Sequence, residues 1–290
     1  MGTSAASKGP EAEISFDPPW LDDKGGFEPS EPVNLPDGTT DDAEERGNED
    51  AGEDAKENGI VDPLVAPPRR FFRARTNLGA YEREKSGRSG FQKAAGHYSK
   101  TGMGGASKLA GRMRHSTATG ARLAEFLTST SSRADDASTT WMKEIVDSGL
   151  NGQELIDAII QQVAPSGGSR DEESSADSMS RALSEFLENN EDSDLLTLEA
   201  EEIREVIERY LANEACSRLT NDIGQVIESE KVSLIESLKL QNEMREYLRA
   251  DLSVQIENLW DITANPTQTQ LDQILRSAVQ HTFEVYEGEI

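Results

Sequence analysis

Residues 232–260 read VSLIESLKLQNEMREYLRADLSVQIENLW and form one long periodic stretch. Apolar side chains recur along it at Val232, Leu234, Ile235, Leu238, Met244, Leu248, Leu252, Ile256, Leu259 and Trp260. This spacing matches the 3.6-residue period of a helix and predicts a long amphipathic helix. An apolar stripe of this length is also a candidate oligomerisation surface.

Similar stripes precede and follow this stretch, within residues 155–163, 179–187, 203–211 and 271–279. Two of them begin with the pattern of a capping box, at Asn151–Glu154 and at Thr267–Gln270. Strand-type alternation is scarce, and only Thr282–Tyr286 shows it weakly. The sequence therefore predicts an all-α protein.

Charge divides the 290 residues, whose net charge is −26, into three segments. Residues 1–66 carry 18 acidic and 4 basic side chains. Residues 67–133 carry 3 acidic and 14 basic side chains, and residues 134–290 carry 34 acidic and 11 basic ones. We predict a disordered acidic, proline-rich tail, a basic helical region rich in glycine and alanine, and an acidic helical domain, with these boundaries.

The basic region contains three predicted helices. Phe71, Phe72, Leu78 and Tyr81 would share one face of the first, and the second would follow a turn at Ser86–Gly90. The third would run from Met103 to Leu127, and its many small side chains predict close approach of another backbone. Ser131–Thr140 reads as a polar connector.

Hydrophobic residues make up 35% of the chain, and no apolar run approaches the roughly 18 residues that a membrane span requires. No signal peptide is recognisable, and the single cysteine, Cys216, suits a reducing compartment. We therefore expect a cytoplasmic protein. Cys216 lies on a helical stripe and reads as a small buried side chain.

No pattern in the sequence indicates catalysis. The three histidines stand in no metal-binding spacing, and Gly102–Lys108 lacks the spacing of a phosphate-binding loop. We expect neither an enzyme nor a bound cofactor or metal.

The alternative function is that of a nucleic-acid-binding adaptor, which would use the basic side chains of residues 69–122 and the aromatic rings among them. The same charges suit acidic groups of this chain or of a protein partner better, because the other two segments would repel nucleic acid.

Four motifs stand out in the first 125 residues: Met1-Gly2-Thr3-Ser4, Pro18-Pro19-Trp20, the segment from Arg70-Phe71-Phe72-Arg73 to Gly79, and the segment from Gly96-His97-Tyr98 to Gly104-Gly105. Together they resemble the QatB proteins of bacterial Qat antiphage defence systems. Beyond these motifs, the resemblance is only to a helical, acidic half. The acidic insertion at residues 37–60 has no counterpart in the pattern.

The resemblance implies a non-catalytic substrate or scaffold subunit, encoded with an ATPase, a QueC-like enzyme (QatC) and a TatD-like nuclease. It also implies that the QueC-like enzyme binds the chain and conjugates a deazaguanine to Gly2. Thr3 and Ser4 would then lie beside the modified glycine in the enzyme's cleft. We further interpret Trp20, with Pro18 and Pro19, as a second docking point, and the region from Arg70 to Gly105 as a folded docking surface.

Overall fold

The computed structural model describes residues 69–132, 136–150, 152–164, 168–227, 232–260 and 266–290. Within these residues every regular element is helical, with ten α-helices and no strand. The prediction of an all-α fold is therefore confirmed. The predicted tail, its acidic insertion and the motifs before residue 69 lie outside the described residues.

The helices are α1 (Phe72–Glu84), α2 (Gly87–His97), α3 (Ala106–Arg112), α4 (Arg114–Ser132), α5 (Asp136–Ser148), α6 (Gln153–Val163), α7 (Arg170–Asn189), α8 (Ala200–Ile223), α9 (Leu234–Trp260) and α10 (Gln268–Gly288). A π-helix, Tyr98–Met103, extends α2, and a short 3₁₀ turn, Gly224–Val226, follows α8.

Helices α1 and α2 form a tight pair at the start of the described chain. Leu78, Tyr81 and Phe91 are buried between them, whereas Phe72 is 62% exposed and does not share their face as predicted. Lys85 adopts a left-handed conformation that ends α1, and α2 begins at Gly87. The turn is therefore shorter than the predicted Ser86–Gly90.

The helix predicted from Met103 to Leu127 is interrupted twice. Gly104 and Gly105 have φ angles of +82° and +108°, which a right-handed helix does not allow, so α3 starts only at Ala106. A second interruption at Met113 separates α3 from α4. The close neighbours of Gly120 are side chains and not the predicted backbone, since an added Cβ would lie 3.1 Å from side-chain atoms of Tyr210 and Leu275.

One other predicted boundary is wrong. The supposed connector Ser131–Thr140 contains the end of α4 and the start of α5, because polar side chains are compatible with a partly exposed helix. Gly152 precedes α6 without a side-chain cap, and Asn151, the predicted cap, lies outside the described residues. A capping box that the sequence analysis missed, Ser169 with Glu172, starts α7.

Helix α8 lies at the centre of the fold, packed against α4, α7 and α9. Apolar side chains on several of its faces are buried, among them Val206, Tyr210 and Leu219. Cys216 is buried as predicted, and burial raises the pKa of its thiol. The polar side chains Glu208, Arg209 and Glu214 are buried as well, so the predicted stripe at residues 203–211 makes up only part of the buried surface of α8.

The predicted apolar stripe of helix α9 packs against α8 and α10 of the same chain. Its fully buried side chains are Met244, Leu248, Leu252 and Ile256. Leu240, which the sequence analysis did not include in the stripe, is also largely buried. Exposed apolar side chains of α9 lie mainly in its first turns, at Leu234, Ile235 and Leu238, with Val254 exposed further along the helix. The central stripe is therefore occupied by the chain's own core and is not free for oligomerisation.

Helix α10 begins with the predicted capping box, in which Thr267 and Gln270 exchange hydrogen bonds. It runs through to Gly288, so the weak strand pattern at Thr282–Tyr286 is wrong. Thr282, Phe283 and Tyr286 are buried, and their i, i+1, i+4 spacing is one helical face. The helix packs against α2, α3, α4 and α9.

The described residues, from 69 to 290 with the gaps given above, belong to one compact unit. The basic helices α1–α4 and the acidic helices α8–α10 therefore share a single core. None of the described helices has an apolar stretch long enough to cross a membrane.

Candidate partner-binding site

The motif around His97 and Tyr98 folds into the π-helix Tyr98–Met103. Its wide turn is closed by the backbone N–H of Gly105, which donates to the carbonyl of Ser99 at 3.0 Å. Gly104 and Gly105 supply the positive φ angles that turn the chain into α3. π-Helices are rare and often mark functional sites, so this segment is the first place to look for a function.

Phe71 covers the π-helix from the start of α1. Its ring stacks on that of Tyr98 with 5.7 Å between centroids and 16° between planes. The Arg70 guanidinium lies 4.6 Å from the centroid of Phe71. A Cβ on Gly102 would lie 2.5 Å from Cδ1 of Phe71, so the stack requires glycine at position 102.

Asp222, at the end of α8, holds this stack in place. Its Oδ2 accepts a hydrogen bond of 2.8 Å from the Tyr98 hydroxyl, and its backbone carbonyl accepts one of 3.0 Å from Arg75 Nη2. Burial, followed by the charge of Asp222, raises the pKa of Tyr98. Tyr98 therefore stays a neutral hydrogen-bond donor at physiological pH.

Basic side chains surround the stack. Partial burial, and then the charges of Arg73 and Lys100, lower the pKa of His97, so these three groups share a positive environment. Lys108 extends beside Gly104, with its Nζ 3.4 Å from the position that a Cβ on Gly104 would occupy. We call Arg70, Phe71, Arg73, His97, Tyr98, Lys100 and Lys108 the π-helix site.

The cations of the π-helix site differ from others in the basic region. Arg88 pairs with Asp251, and Lys85 lies 3.6 Å from Glu236, so both are matched by acidic groups of α9. Within the described part of the chain, Arg70, Arg73, Lys100 and Lys108 have no carboxylate at ion-pair distance. The first pairs fit the expectation that the basic region faces acidic groups of its own chain, and the remaining cations leave a positive surface.

The structure brings together most of the predicted docking residues in the described chain: Arg70, Phe71, Arg73, His97, Tyr98, Gly104 and Gly105. Phe72 is the exception, because its exposed side chain takes no part in the stack. Gly2, Thr3, Ser4, Pro18, Pro19 and Trp20 lie outside the described residues.

Sequence analysis missed two contributors to this site. Gly102 belongs to the quoted motif, but its contact with Phe71 becomes visible only in three dimensions. Asp222 is 124 residues from Tyr98, and no local pattern links the two. Among the described residues, no group of histidine, cysteine or acidic side chains is arranged to hold a metal ion.

A family model described as Qat anti-phage system associated protein QatB matches residues 104–286, more than half of the chain. The chain belongs to the QatB family. Membership makes this QatB-family chain a component of an antiphage defence system. No curated protein and no solved structure matches it.

The QatB match lies mostly beyond the motifs that suggested the family. It begins at Gly104, so Gly104 and Gly105 are the only predicted docking residues inside it. The sequence analysis found only a general helical, acidic character beyond residue 125. The match there extends from α3 into α10 and therefore covers most of the helical chain.

Proposed function

We propose that this chain is the non-catalytic substrate and scaffold subunit of its defence complex, and that a QueC-like enzyme attaches a deazaguanine to Gly2. The observation that carries the proposal is the QatB match over residues 104–286. Cleavage of the Met1–Gly2 peptide bond would free the Gly2 amine as the acceptor, and glycine lets a modifying group approach this amine without a side chain in the way. A second contact, with the ATPase of the same system, is part of the proposal without assigned residues.

The π-helix site is our candidate for docking the enzyme. Its cations have no carboxylate partners in the described chain, and its stack is rigidly held by Asp222 and Arg75. Exposed arginine and lysine beside a fixed aromatic ring suit an acidic protein surface, since complementary charge increases association rate and selects partners. Trp20 with Pro18 and Pro19 would add a second contact.

The modification is tested by intact-mass measurement of the full chain co-expressed with the QueC-like enzyme. We expect a mass increase that Gly2→Ala abolishes and that the matched control Gly9→Ala retains. Peptide mapping should place the added group on the N-terminal peptide. An unchanged mass, together with failure of the two proteins to co-purify, would refute the proposal.

Docking is tested separately by co-purification of charge-reversal variants. Arg73→Glu and Lys100→Glu should reduce recovery of the enzyme, and Lys143→Glu, an exposed lysine of α5, should not. If all three variants bind equally, the π-helix site is not the docking surface, although the modification at Gly2 can still stand.

The second candidate function is nucleic-acid binding by the basic region. One observation favours it: Arg70, Arg73, Lys100 and Lys108 surround an aromatic stack, the combination used to bind single strands. Binding should weaken as salt rises, and Arg70→Ala or Arg73→Ala should reduce it. Arg88→Ala is the control, because Arg88 is already paired with Asp251. Absence of a gel shift at low salt would exclude this function.

A further inference from the structure

A cavity of about 200 Å³ lies between the first turns of α7 and the last turns of α8. All of its lining residues are polar or charged. Asp222, which accepts the hydrogen bond of Tyr98, is one of them, so the cavity adjoins the π-helix site, but the proposed docking does not use the cavity itself. Its size suits a ligand of few non-hydrogen atoms, because sites for drug-sized molecules are larger, at about 300–1,000 Å³.

Glu214 gives one side of this cavity an uncompensated negative charge. The residue is only 3% exposed, and its carboxylate accepts hydrogen bonds from the hydroxyls of Ser116 and Ser174. A carboxylate offers about four acceptor positions, so two hydroxyls leave it partly unsatisfied. No lysine or arginine of the described chain pairs with Glu214. A buried charge without a counter-charge is costly, and a bound cation would remove that cost.

Arginines supply the opposite charge elsewhere in the lining. Arg218 lines the cavity one turn after Glu214, and its guanidinium lies 3.7 Å from the largely exposed carboxylate of Asp171. Arg170 lines it from the first turn of α7, where the helix dipole also favours an anionic group. The cavity therefore presents the buried carboxylate of Glu214 and two guanidinium groups to the same small volume, and the more exposed carboxylates of Asp171 and Asp222 also line it.

We propose that this cavity binds a small zwitterion whose primary ammonium group contacts Glu214 and whose acid group contacts Arg170 and Arg218. Charge-assisted hydrogen bonds would form at both ends of such a ligand. A simple amine would leave the arginines unused, and a simple acid would meet the repulsion of Glu214. Both single-charge classes should therefore bind more weakly than the zwitterion.

The test is a titration of the full chain, followed by ¹H–¹⁵N NMR, with the series glycine, β-alanine, γ-aminobutyrate and 5-aminovalerate. n-Butylamine and butyrate are the single-charge controls. We expect at least one amino acid of the series to give saturable shifts confined to residues of α7 and α8 around the cavity. Absence of saturable shifts for the whole series, or equally tight binding of n-butylamine, would overturn the proposal.

Variants assign the two ends of the ligand. Glu214→Gln and Arg218→Met should each weaken binding by about tenfold or more, since each removes a charged hydrogen-bond partner. Glu208→Gln is the matched control, because Glu208 is another buried carboxylate of α8 that does not line the cavity. Circular dichroism checks that each variant is folded. If Glu214→Gln does not fold, the affinity of the Arg218→Met variant still tests the proposal. Unchanged affinity in a folded Glu214→Gln or Arg218→Met variant would also overturn the proposal.

Discussion

Single glycines determine how closely the parts of this molecule approach one another. A Cβ on Gly96 would lie 2.2 Å from the backbone oxygen of Tyr286, and a Cβ on Gly102 would overlap the ring of Phe71. Gly111, in contrast, has no neighbour within 4 Å of an added Cβ. Two of these glycines are thus required by packing, whereas the third is not.

Replacing Gly102 with alanine should therefore displace Phe71 from Tyr98. We expect a loss of about 1–3 kcal/mol in the free energy of unfolding, the usual cost of overpacking, measured by urea denaturation. Gly111→Ala is the matched control, and it should leave stability unchanged or raise it by up to about 1 kcal/mol. Equal stability of the Gly102→Ala variant and the original chain would contradict the described stack.

A pH effect is expected at His97. Because the pKa of His97 is lowered from 6.5 in the folded chain, the unfolded chain binds its proton at a higher pH. Stability should consequently fall as the pH is lowered through 6.5 towards the folded pKa, and His97→Gln should reduce that fall. The measurement compares unfolding free energies of the two proteins across this range. The same slope in both would show that His97 does not contribute.

NMR titration of His97 tests the cause of its lowered pKa. Arg73→Ala and Lys100→Ala should each raise the pKa, since each removes a neighbouring positive charge. A histidine pKa that is unaffected by both substitutions would show that these side chains do not share the described surface.

Among the helices, α9 shows most clearly what a periodic sequence can and cannot predict. Its existence and buried face follow from the spacing of Met244, Leu248, Leu252 and Ile256. Whether that face meets the same chain or another copy does not follow, because an apolar stripe is the same in both cases. In the folded chain this face packs against α8 and α10.

Truncation within α9 tests this internal role. Leu252→Ala removes a fully buried side chain and should lower the free energy of unfolding by about 2–5 kcal/mol. Val254→Ala, at a position 53% exposed on the same helix, should change it by less than about 0.5 kcal/mol. Similar effects of the two substitutions would mean that α9 does not pack as described.

Helix boundaries were predicted less well than helix faces, for physical reasons. The break between the π-helix and α3 depends on the backbone angles of Gly104 and Gly105, and glycine is compatible with either a helix or a turn. The start of α5 lies in a polar segment whose composition alone indicates a connector. The strand-like pattern at Thr282–Tyr286 arises because Val285, an apolar side chain that is 52% exposed, follows the buried Phe283 by two residues.

At the scale of the whole molecule, opposite net charges meet across one core. Besides the Arg88–Asp251 pair, Tyr81 donates to Glu243 and Thr117 donates to Asp272, so side chains of the basic segment contact carboxylates of the acidic one. The Tyr98–Asp222 bond joins α8 to the π-helix in the same way. Among the described residues, charge segregation along the sequence therefore does not separate the basic helices from the acidic ones.

We expect residues 61–290 to unfold in a single cooperative transition. Leu78→Ala in the basic region and Phe283→Ala in the acidic region should both move that transition to lower urea concentration. Each should lower the free energy of unfolding by about 2–5 kcal/mol. Tryptophan fluorescence and far-UV circular dichroism should report the same midpoint. Two separate transitions, each sensitive to only one of the substitutions, would contradict a shared core.

The packing of α10 against α2, α3 and α4 has a consequence for synthesis on the ribosome. The three earlier helices are translated long before the helix that covers them, by roughly 10–40 s at about 5–20 residues per second. During that interval the apolar surface destined for Leu275, Val279 and Phe283 has no cover from its own chain. Chaperones that shield nascent chains should therefore associate with this protein until α10 has left the exit tunnel.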